Sequence, residues 1–322
     1  GPERAEPHHQ RGLILFQLGR LEEAAASFAR AGTLQPERVE SHFLYGAAEQ
    51  SRGRPDLALA GYRRALSLRP DLAEALLNQG VALRALGQTA AALDSYHRAV
   101  SARPDWAEAY LNRANLLKDL GQNAAARSDY DRAIALAPGM AAAYFNRGAL
   151  AEAEGTSAAA LADYGQAVTL APTLASGWFG RGNALAALDQ PEAALESYDR
   201  ALMLQPDWPE ARLNRGRVLE QSGQIEAALY SYESALALRP DWVEALSNRG
   251  AALRELGRLE AALRSFDQAV ALAPDRAELH YNRGLVLYAQ GAFLAAADTY
   301  ERVLALNPDH GEAGFNRAIC LL

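Results

Sequence analysis

Apolar and small residues recur along the chain with the spacing of amphipathic helices, in pairs of segments separated by a glycine. In one representative stretch these positions are Leu76, Gly80, Leu83 and Leu86 before Gly87, then Ala92, Tyr96 and Ala99 after it. Steps of three or four residues predict a helix on each side. A glycine just past the last such position is typical of a helix C-terminus. The pattern therefore predicts a helix–turn–helix hairpin.

The hairpin repeats with a strict period. Nine of the 14 prolines stand 34 residues apart: Pro36, Pro70, Pro104, Pro138, Pro172, Pro206, Pro240, Pro274 and Pro308. With this proline at position 32 of the repeat, full repeats begin at residues 5, 39, 73, 107, 141, 175, 209, 243 and 277, and residues 311–322 form a partial one. A fixed period of this length indicates a stack of identical supersecondary elements. We expect residues 1–4 to be a remnant of an expression tag and a short tail.

Both ends of the predicted helices carry signals. Most of the periodic prolines are followed by aspartate and, three residues further on, by glutamate, as in Asp105 and Glu108. This spacing predicts a capping box with the aspartate as N-cap. Position 15 of most repeats is glycine, which predicts a left-handed residue after each first helix.

The repeated combination of a large residue, Gly, Ala, Tyr or Phe, Ala and Pro resembles the tetratricopeptide repeat (TPR) family over residues 5–322. The resemblance implies an all-α, right-handed superhelical solenoid of antiparallel helix pairs, with nine full repeats and one additional first helix, forming a single domain. It also implies that the first helices line a concave groove that binds a peptide or another protein.

An asparagine row at position 6 is the main candidate binding feature. Its members are Asn78, Asn112, Asn146, Asn214, Asn248, Asn282 and Asn316. Asparagine is roughly 0.6 kcal/mol less favourable than alanine inside a helix, so the row requires an explanation. A primary amide can both donate to and accept from the main chain of an extended peptide. The row resembles the groove of the TPR region of O-GlcNAc transferases. The alternative is that these amides form hydrogen bonds between repeats.

Position 5 is apolar or aromatic in nearly every repeat, and Phe145, Phe179 and Tyr281 are candidate pockets for ligand side chains. Packing against the next repeat is the alternative interpretation. The recurrent arginines at position 7 are interpreted as structural, lying over the helix interface and pairing with local acids.

Residues 139–191 depart from the residue pattern of the other repeats. Gly177, Gly180 and Gly182 lie within one predicted helix, and Gly180 interrupts the asparagine row. Glycine costs up to about 1 kcal/mol in a helix interior. We expect this segment to be the least stable, either as a flexing point or as a place where a ligand backbone passes closely.

Composition excludes several classes of function. The 322 residues carry a formal charge of −7 with no basic cluster, which argues against nucleic acid or an anionic membrane as partner. A single cysteine, Cys320, cannot form an internal disulfide or a thiolate metal site. There is no nucleophile motif, metal-ligand cluster or phosphate loop, so we expect neither a cofactor nor catalysis. A cytoplasmic location is expected, with the periplasm as an alternative.

Three functions remain open. The first is a protein-interaction module that binds an extended protein segment through the asparagine row. The second is the substrate-recruiting arm of a larger bacterial glycosyltransferase of the O-GlcNAc-transferase type, acting on a protein such as flagellin. The third is a self-assembling scaffold, because Phe315, Ile319, Leu321 and Leu322 belong to a first helix without a partner. That unpartnered helix also suggests that the chain was cut from a longer protein.

Overall fold

A computed structural model describes residues 4–322, and the predicted tag remnant Gly1-Pro2 lies outside them. Between residues 4 and 322 all regular structure is helical. The helices are α1 (Ala5–Gln17), α2 (Leu21–Leu34), α3 (Val39–Ser51), α4 (Pro55–Leu68), α5 (Ala73–Ala85), α6 (Thr89–Ala102), α7 (Ala107–Asp119), α8 (Asn123–Leu136), α9 (Ala141–Ala153), α10 (Ser157–Leu170), α11 (Ala175–Ala187), α12 (Pro191–Leu204), α13 (Pro209–Gln221), α14 (Ile225–Leu238), α15 (Val243–Glu255), α16 (Leu259–Leu272), α17 (Ala277–Ala289), α18 (Phe293–Leu306) and α19 (Gly311–Cys320).

The odd-numbered helices begin at residues 5, 39, 73 and onward in steps of 34, in agreement with the period of the prolines. We call the odd-numbered helices first helices and the even-numbered ones second helices. The chain forms two compact units, one ending at Leu150 and the other comprising Ala151–Leu322. In the first unit each helix from α1 to α7 packs against the helix that follows it, and in the second unit each helix from α10 to α18 does the same. The all-α solenoid of helix pairs predicted from the sequence is confirmed.

The core of each hairpin is an aromatic ring buried beneath a small residue. Tyr232, at position 24 of its repeat, is completely buried, and Gly216 of the preceding helix lies against its ring. A Cβ atom at residue 216 would lie 2.5 Å from the tyrosine Cε1, so a glycine there permits the close approach of the two helices.

The predicted capping boxes are wrong. The first helices begin two residues after the aspartate, with residues such as Trp106 and Trp242 at the N-cap, and these helices have no side-chain cap hydrogen bond. The aspartate lies in the turn between the periodic proline and the helix, one residue before the N-cap. In four repeats the glutamate at position 2 forms an ion pair with an arginine, for example Glu244 with Arg276 at 2.9 Å.

The left-handed residue after the first helix is confirmed. Eight glycines at position 15 have φ between +69° and +76°: Gly19, Gly53, Gly87, Gly121, Gly155, Gly223, Gly257 and Gly291. Asp189 occupies the same position in the sixth repeat with φ +56°. This backbone conformation disfavours a residue with a side chain, so Asp189 is a point of local strain.

The glycines of α11 are explained by packing. Ideal Cβ atoms at Gly177, Gly180 and Gly182 would lie 2.9 Å, 2.5 Å and 2.7 Å from the side chains of Val168, Tyr164 and Tyr198, respectively. The protein's own side chains therefore occupy the space that a close ligand backbone would need. The helix is continuous through all three glycines, and the lower stability of residues 139–191 stays a prediction.

Candidate binding face

First helices of successive repeats lie side by side and form one face of each compact unit. Direct contacts join α3 to α5 in the first unit, and α11 to α13, α13 to α15 and α15 to α17 in the second. We call this surface the first-helix face. It carries the side chains at positions 6 and 9 of the repeat, as the hydrogen bonds between neighbouring first helices show.

All seven asparagines of the predicted row are half-buried. Two of them link neighbouring repeats. The amide nitrogen of Asn146 donates to Oδ1 of Asn115 at 2.9 Å, and that of Asn214 donates to Oδ1 of Asn183 at 3.0 Å. These two contacts are hydrogen bonds between repeats, which was the alternative interpretation of the row, and each uses only one N–H of its amide.

The oxygen atoms that accept these bonds also hold the core tyrosines. Oδ1 of Asn115 accepts from the hydroxyl of Tyr130 at 2.8 Å, and Oδ1 of Asn183 accepts from the hydroxyl of Tyr198 at 2.9 Å. The position-9 asparagines were not among the predicted site residues. The available signal was a second helix-interior asparagine 31 residues before Asn146 and again before Asn214.

Two further members of the row have weaker or local bonds. The amide of Asn112 donates to the backbone carbonyl of Glu108 in its own helix at 2.9 Å. The amide of Asn316 lies 3.5 Å from the hydroxyl of Tyr281, at the limit of a hydrogen bond. Neither contact crosses to an asparagine of the preceding repeat.

Three amides have no hydrogen-bond partner within residues 4–322: Asn78 in the first compact unit, and Asn248 and Asn282 in the second. Each follows a repeat whose position 9 lacks an amide, namely Ala47, Arg217 and Ala251. These three amides are therefore unpaired because position 9 of the preceding repeat offers them no amide oxygen. Their donors and acceptors are available to a ligand.

A cavity of about 380 Å³ opens on the first-helix face of the second unit. Its lining includes Asn183, Asn214 and the exposed Arg217, with the Tyr198 ring beneath them. The combination of amide groups, a guanidinium and the small apolar side chains of Ala186 and Ala187 can hold the polar main chain of a peptide beside an apolar side chain.

The aromatic residues of position 5 pack within the fold. The Phe179 ring lies 4.6 Å from that of Trp208, and the Tyr281 ring lies 4.7 Å from that of His310. The hydroxyl of Tyr281 donates to the carboxylate of Glu312 at 2.8 Å. These contacts correspond to the packing alternative. All three predicted residues, Phe145 included, are half-buried and retain an accessible part.

The position-7 arginines are structural in most repeats, as predicted. Their acidic partners lie on second helices: Asp129 for Arg113, Asp131 for Arg147, Asp199 for Arg215, Asp267 for Arg283 and Glu301 for Arg317. Burial lowers the pKa of Arg249, which instead donates to Ser265 and Gln268. Four of these ion pairs, those of Arg147, Arg215, Arg283 and Arg317, join adjacent repeats. Arg113 and Arg249 bond within their own repeat.

Within residues 4–322, no group of three or more His, Cys, Asp or Glu side chains is arranged to hold a metal ion. None of the described helices combines the length and the apolar character needed to cross a bilayer.

Models of the tetratricopeptide repeat match most of the sequence. One matches residues 9–72, 46–109 and 111–175, a second matches 175–207 and 277–310, and a TPR-repeat model matches 216–257 and 250–291. No catalytic family is among them. No curated protein matches this chain.

Solved structures with this fold include three that illustrate the range. YrrB, described as a TPR protein with an unusual peptide-binding site, is 26% identical, with a TM-score of 0.54 over 62% of this chain and 99% of its own. A TPR protein from Parabacteroides merdae ATCC 43184 is 17% identical, with a TM-score of 0.55 over 78% and 99%. MamA from Desulfovibrio magneticus RS-1 is 24% identical, with a TM-score of 0.51 over 53% and 96%.

Proposed function

Because the chain belongs to the tetratricopeptide repeat family, whose members are protein-interaction modules, we propose that its first-helix face binds an extended segment of a partner protein. The observation that carries this proposal is the row of half-buried amides on that face, of which Asn78, Asn248 and Asn282 have no hydrogen-bond partner within the described residues. A half-buried polar group without a partner in the protein is suited to bond a ligand.

The amides act on the peptide main chain. An extended peptide presents one N–H and one C=O per residue, and a primary amide matches both with one donor and one acceptor. Binding of this kind holds many sequences, and contacts such as the cavity beside Asn214 select among them.

The bonded amides assist in a second way. Asn146 and Asn214 each give one N–H to the preceding repeat and keep the second N–H and the carbonyl oxygen for a ligand. The inter-repeat bond fixes the direction of the amide before the ligand arrives, which lowers the entropy lost on binding.

The peptide ligand has support from a relative. YrrB, 26% identical over nearly its full length, is a TPR protein with a peptide-binding site, although that site is described as unusual. A disordered partner segment would lose conformational entropy on binding, so we expect modest affinity distributed over several repeats.

The test compares variants of the free amides with a matched asparagine elsewhere. The probe is the tightest-binding octapeptide selected from a displayed random library on the unmodified chain. Replacing both Asn248 and Asn282 by alanine is expected to weaken its binding at least tenfold while the helix content is retained, because alanine is the better helix former. The control Asn123→Ala, at the start of second helix α8, should bind normally. Unchanged binding by the double variant would refute the proposal.

Two alternatives use the same fold. A substrate-recruiting arm of a glycosyltransferase would use the same first-helix face, and no feature of the structure favours it over other interaction modules. Self-association has one supporting observation: Phe315 is 67% exposed on α19, next to the exposed Ile319 and Leu321. A molecular mass that rises with concentration, and that Phe315→Ser returns to the monomer value, is the test of self-association.

A further inference from the structure

In the seventh and ninth repeats, the arginine at position 7 bonds to one carboxylate and one hydroxyl. Nε of Arg215 donates to Oδ1 of Asp199 on the preceding second helix at 2.6 Å, and its Nη1 donates to the hydroxyl of Ser231 at 2.8 Å. Arg283 repeats both contacts, with Asp267 at 2.6 Å and Thr299 at 3.0 Å. One guanidinium thus joins a carboxylate and a hydroxyl from two second helices.

In the sixth repeat only half of this arrangement is present. Nη1 of Arg181 donates to the hydroxyl of Ser197 at 3.0 Å, as that of Arg215 does to Ser231. Gly165 stands where the carboxylate-bearing residue stands elsewhere, and the space beyond its Cα is open. Within the described residues, Nε of Arg181 has no hydrogen-bond partner and its guanidinium has no ion pair. A positive charge is therefore presented without the acid that neutralises it in neighbouring repeats.

A cleft of about 620 Å³ lies at this position, between α10 and α12 and over α11. Gly165 and Arg181 line it together with Trp178, whose ring centre is 5.5 Å from the guanidinium carbon. The indole N–H donates to the carbonyl of Pro172 at 2.9 Å, which fixes the ring. Among the described residues that line the cleft, Glu196 alone carries a carboxylate, and it makes no ion pair with Arg181.

An apolar surface adjoins the cleft. A second cavity, of about 470 Å³, shares Trp178 and Glu196 with it and reaches Met203. Met203 is 69% exposed. Met and Trp together form an adaptable apolar surface of the kind that receives a partner's side chain.

We propose that this cleft binds an aspartate or glutamate side chain of a short acidic segment of a partner protein. The carboxylate accepts from Nε of Arg181 as Asp199 accepts from Arg215, and a neighbouring apolar side chain of the same segment packs on Trp178 and Met203. A charge-assisted bond of this geometry gives orientation as well as attraction. The site is separate from the first-helix face and goes beyond the function proposed for that face.

The test uses residue 165 to fill the site from within the chain. An array of immobilised octapeptides, synthesised in pairs that differ only by one glutamate replaced with glutamine, is probed with the full chain carrying an N-terminal label. We expect a subset of pairs in which the glutamate member binds at least tenfold more strongly. Gly165→Asp supplies the missing carboxylate to Arg181 and should abolish this preference, whereas the control Gly165→Ala should retain it. Both substitutions enter open space on a helix and favour folding.

The outcomes separate this site from the first-helix face. Arg181→Gln should remove the glutamate preference, and the double alanine variant of Asn248 and Asn282 should leave it intact. The proposal is overturned if no pair shows the preference, or if Gly165→Asp retains it as fully as Gly165→Ala. Loss of the preference in the asparagine variant would assign it to the first-helix face instead.

Discussion

Two buried tyrosines at the same position of the repeat should respond in opposite directions to loss of the hydroxyl. The hydroxyl of Tyr96 is buried and has no hydrogen-bond partner among residues 4–322. In this repeat, Val81 and Arg84 stand at the positions that supply partners elsewhere, and Arg84 pairs with Asp119 at 2.5 Å. The hydroxyl of Tyr232 donates to the carboxylate of Glu220 at 2.6 Å. Both rings are fully buried, so packing is matched.

The magnitudes follow from the hydrogen bonds. Burial raises the pKa of Tyr96 to about 12, so the group is neutral and its replacement by phenylalanine removes an unpaired hydroxyl without a change in charge. Relief of that desolvation penalty should stabilise the surrounding helices by about 1 kcal/mol or more. Tyr232→Phe removes a bond to a charged group, which costs about 1.5–3 kcal/mol.

Hydrogen exchange measured by mass spectrometry resolves these local effects, since a repeat array need not unfold as one cooperative structure. Protected amides of α5 and α6 should exchange about fivefold more slowly in Tyr96→Phe, and those of α13 and α14 at least tenfold faster in Tyr232→Phe. If Tyr96→Phe accelerated exchange as much as Tyr232→Phe does, the account of the two hydroxyls would be refuted.

Three further predictions concern stability. Asp189→Gly should raise the thermal midpoint by relieving φ +56°, with a gain of up to about 1 kcal/mol; a lower midpoint would contradict this. Asn146→Ala should lose about 1 kcal/mol of unfolding free energy with its inter-repeat bond and regain about 0.5 kcal/mol from helix propensity, a net loss of about 0.5 kcal/mol. Asn248→Ala should gain about 0.5 kcal/mol from helix propensity alone, and equal effects of the two substitutions in urea unfolding would contradict the distinction. The pKa of Glu244 is lowered below its ordinary 4.5, first by the hydrogen bond from its own backbone N–H and then by the hydrogen bond from Arg276. The ionised carboxylate therefore stabilises the fold at neutral pH, and this stabilisation is lost as the pH falls through the folded-state pKa. Glu244→Gln should therefore show a smaller loss of stability between about pH 5 and pH 3 than the unmodified chain, and an equal loss would contradict the role of that carboxylate.

The architecture could be predicted because every repeat has the same packing arrangement. A proline, a left-handed glycine and a buried ring recur at one spacing, so a repeat with an atypical residue can still be recognised from its neighbours. Tyr232 beneath Gly216 and the φ of Gly223 are instances of contacts that depend only on residues within one hairpin. Such local contacts follow from sequence spacing.

The hydrogen bonds of the asparagine row could not be predicted in the same way. Whether an amide at position 6 is bonded depends on position 9 of the preceding repeat, which is asparagine before Asn214 but alanine before Asn282. The helix start was also displaced by one residue, because Trp106 and not Asp105 is the N-cap of α7. Both outcomes depend on side-chain direction in three dimensions, which spacing alone does not fix.

A double-mutant cycle between one amide and one peptide bond tests the central claim most directly. The octapeptide selected on the unmodified chain is synthesised with a single N-methyl group at each backbone position in turn, and each form is titrated against the unmodified chain and against Asn282→Ala. If the amide of Asn282 holds the ligand main chain, one N-methylated position will show a coupling free energy of about 0.5–1.5 kcal/mol with the alanine substitution. Additive effects at every position would mean that this amide does not contact the peptide backbone.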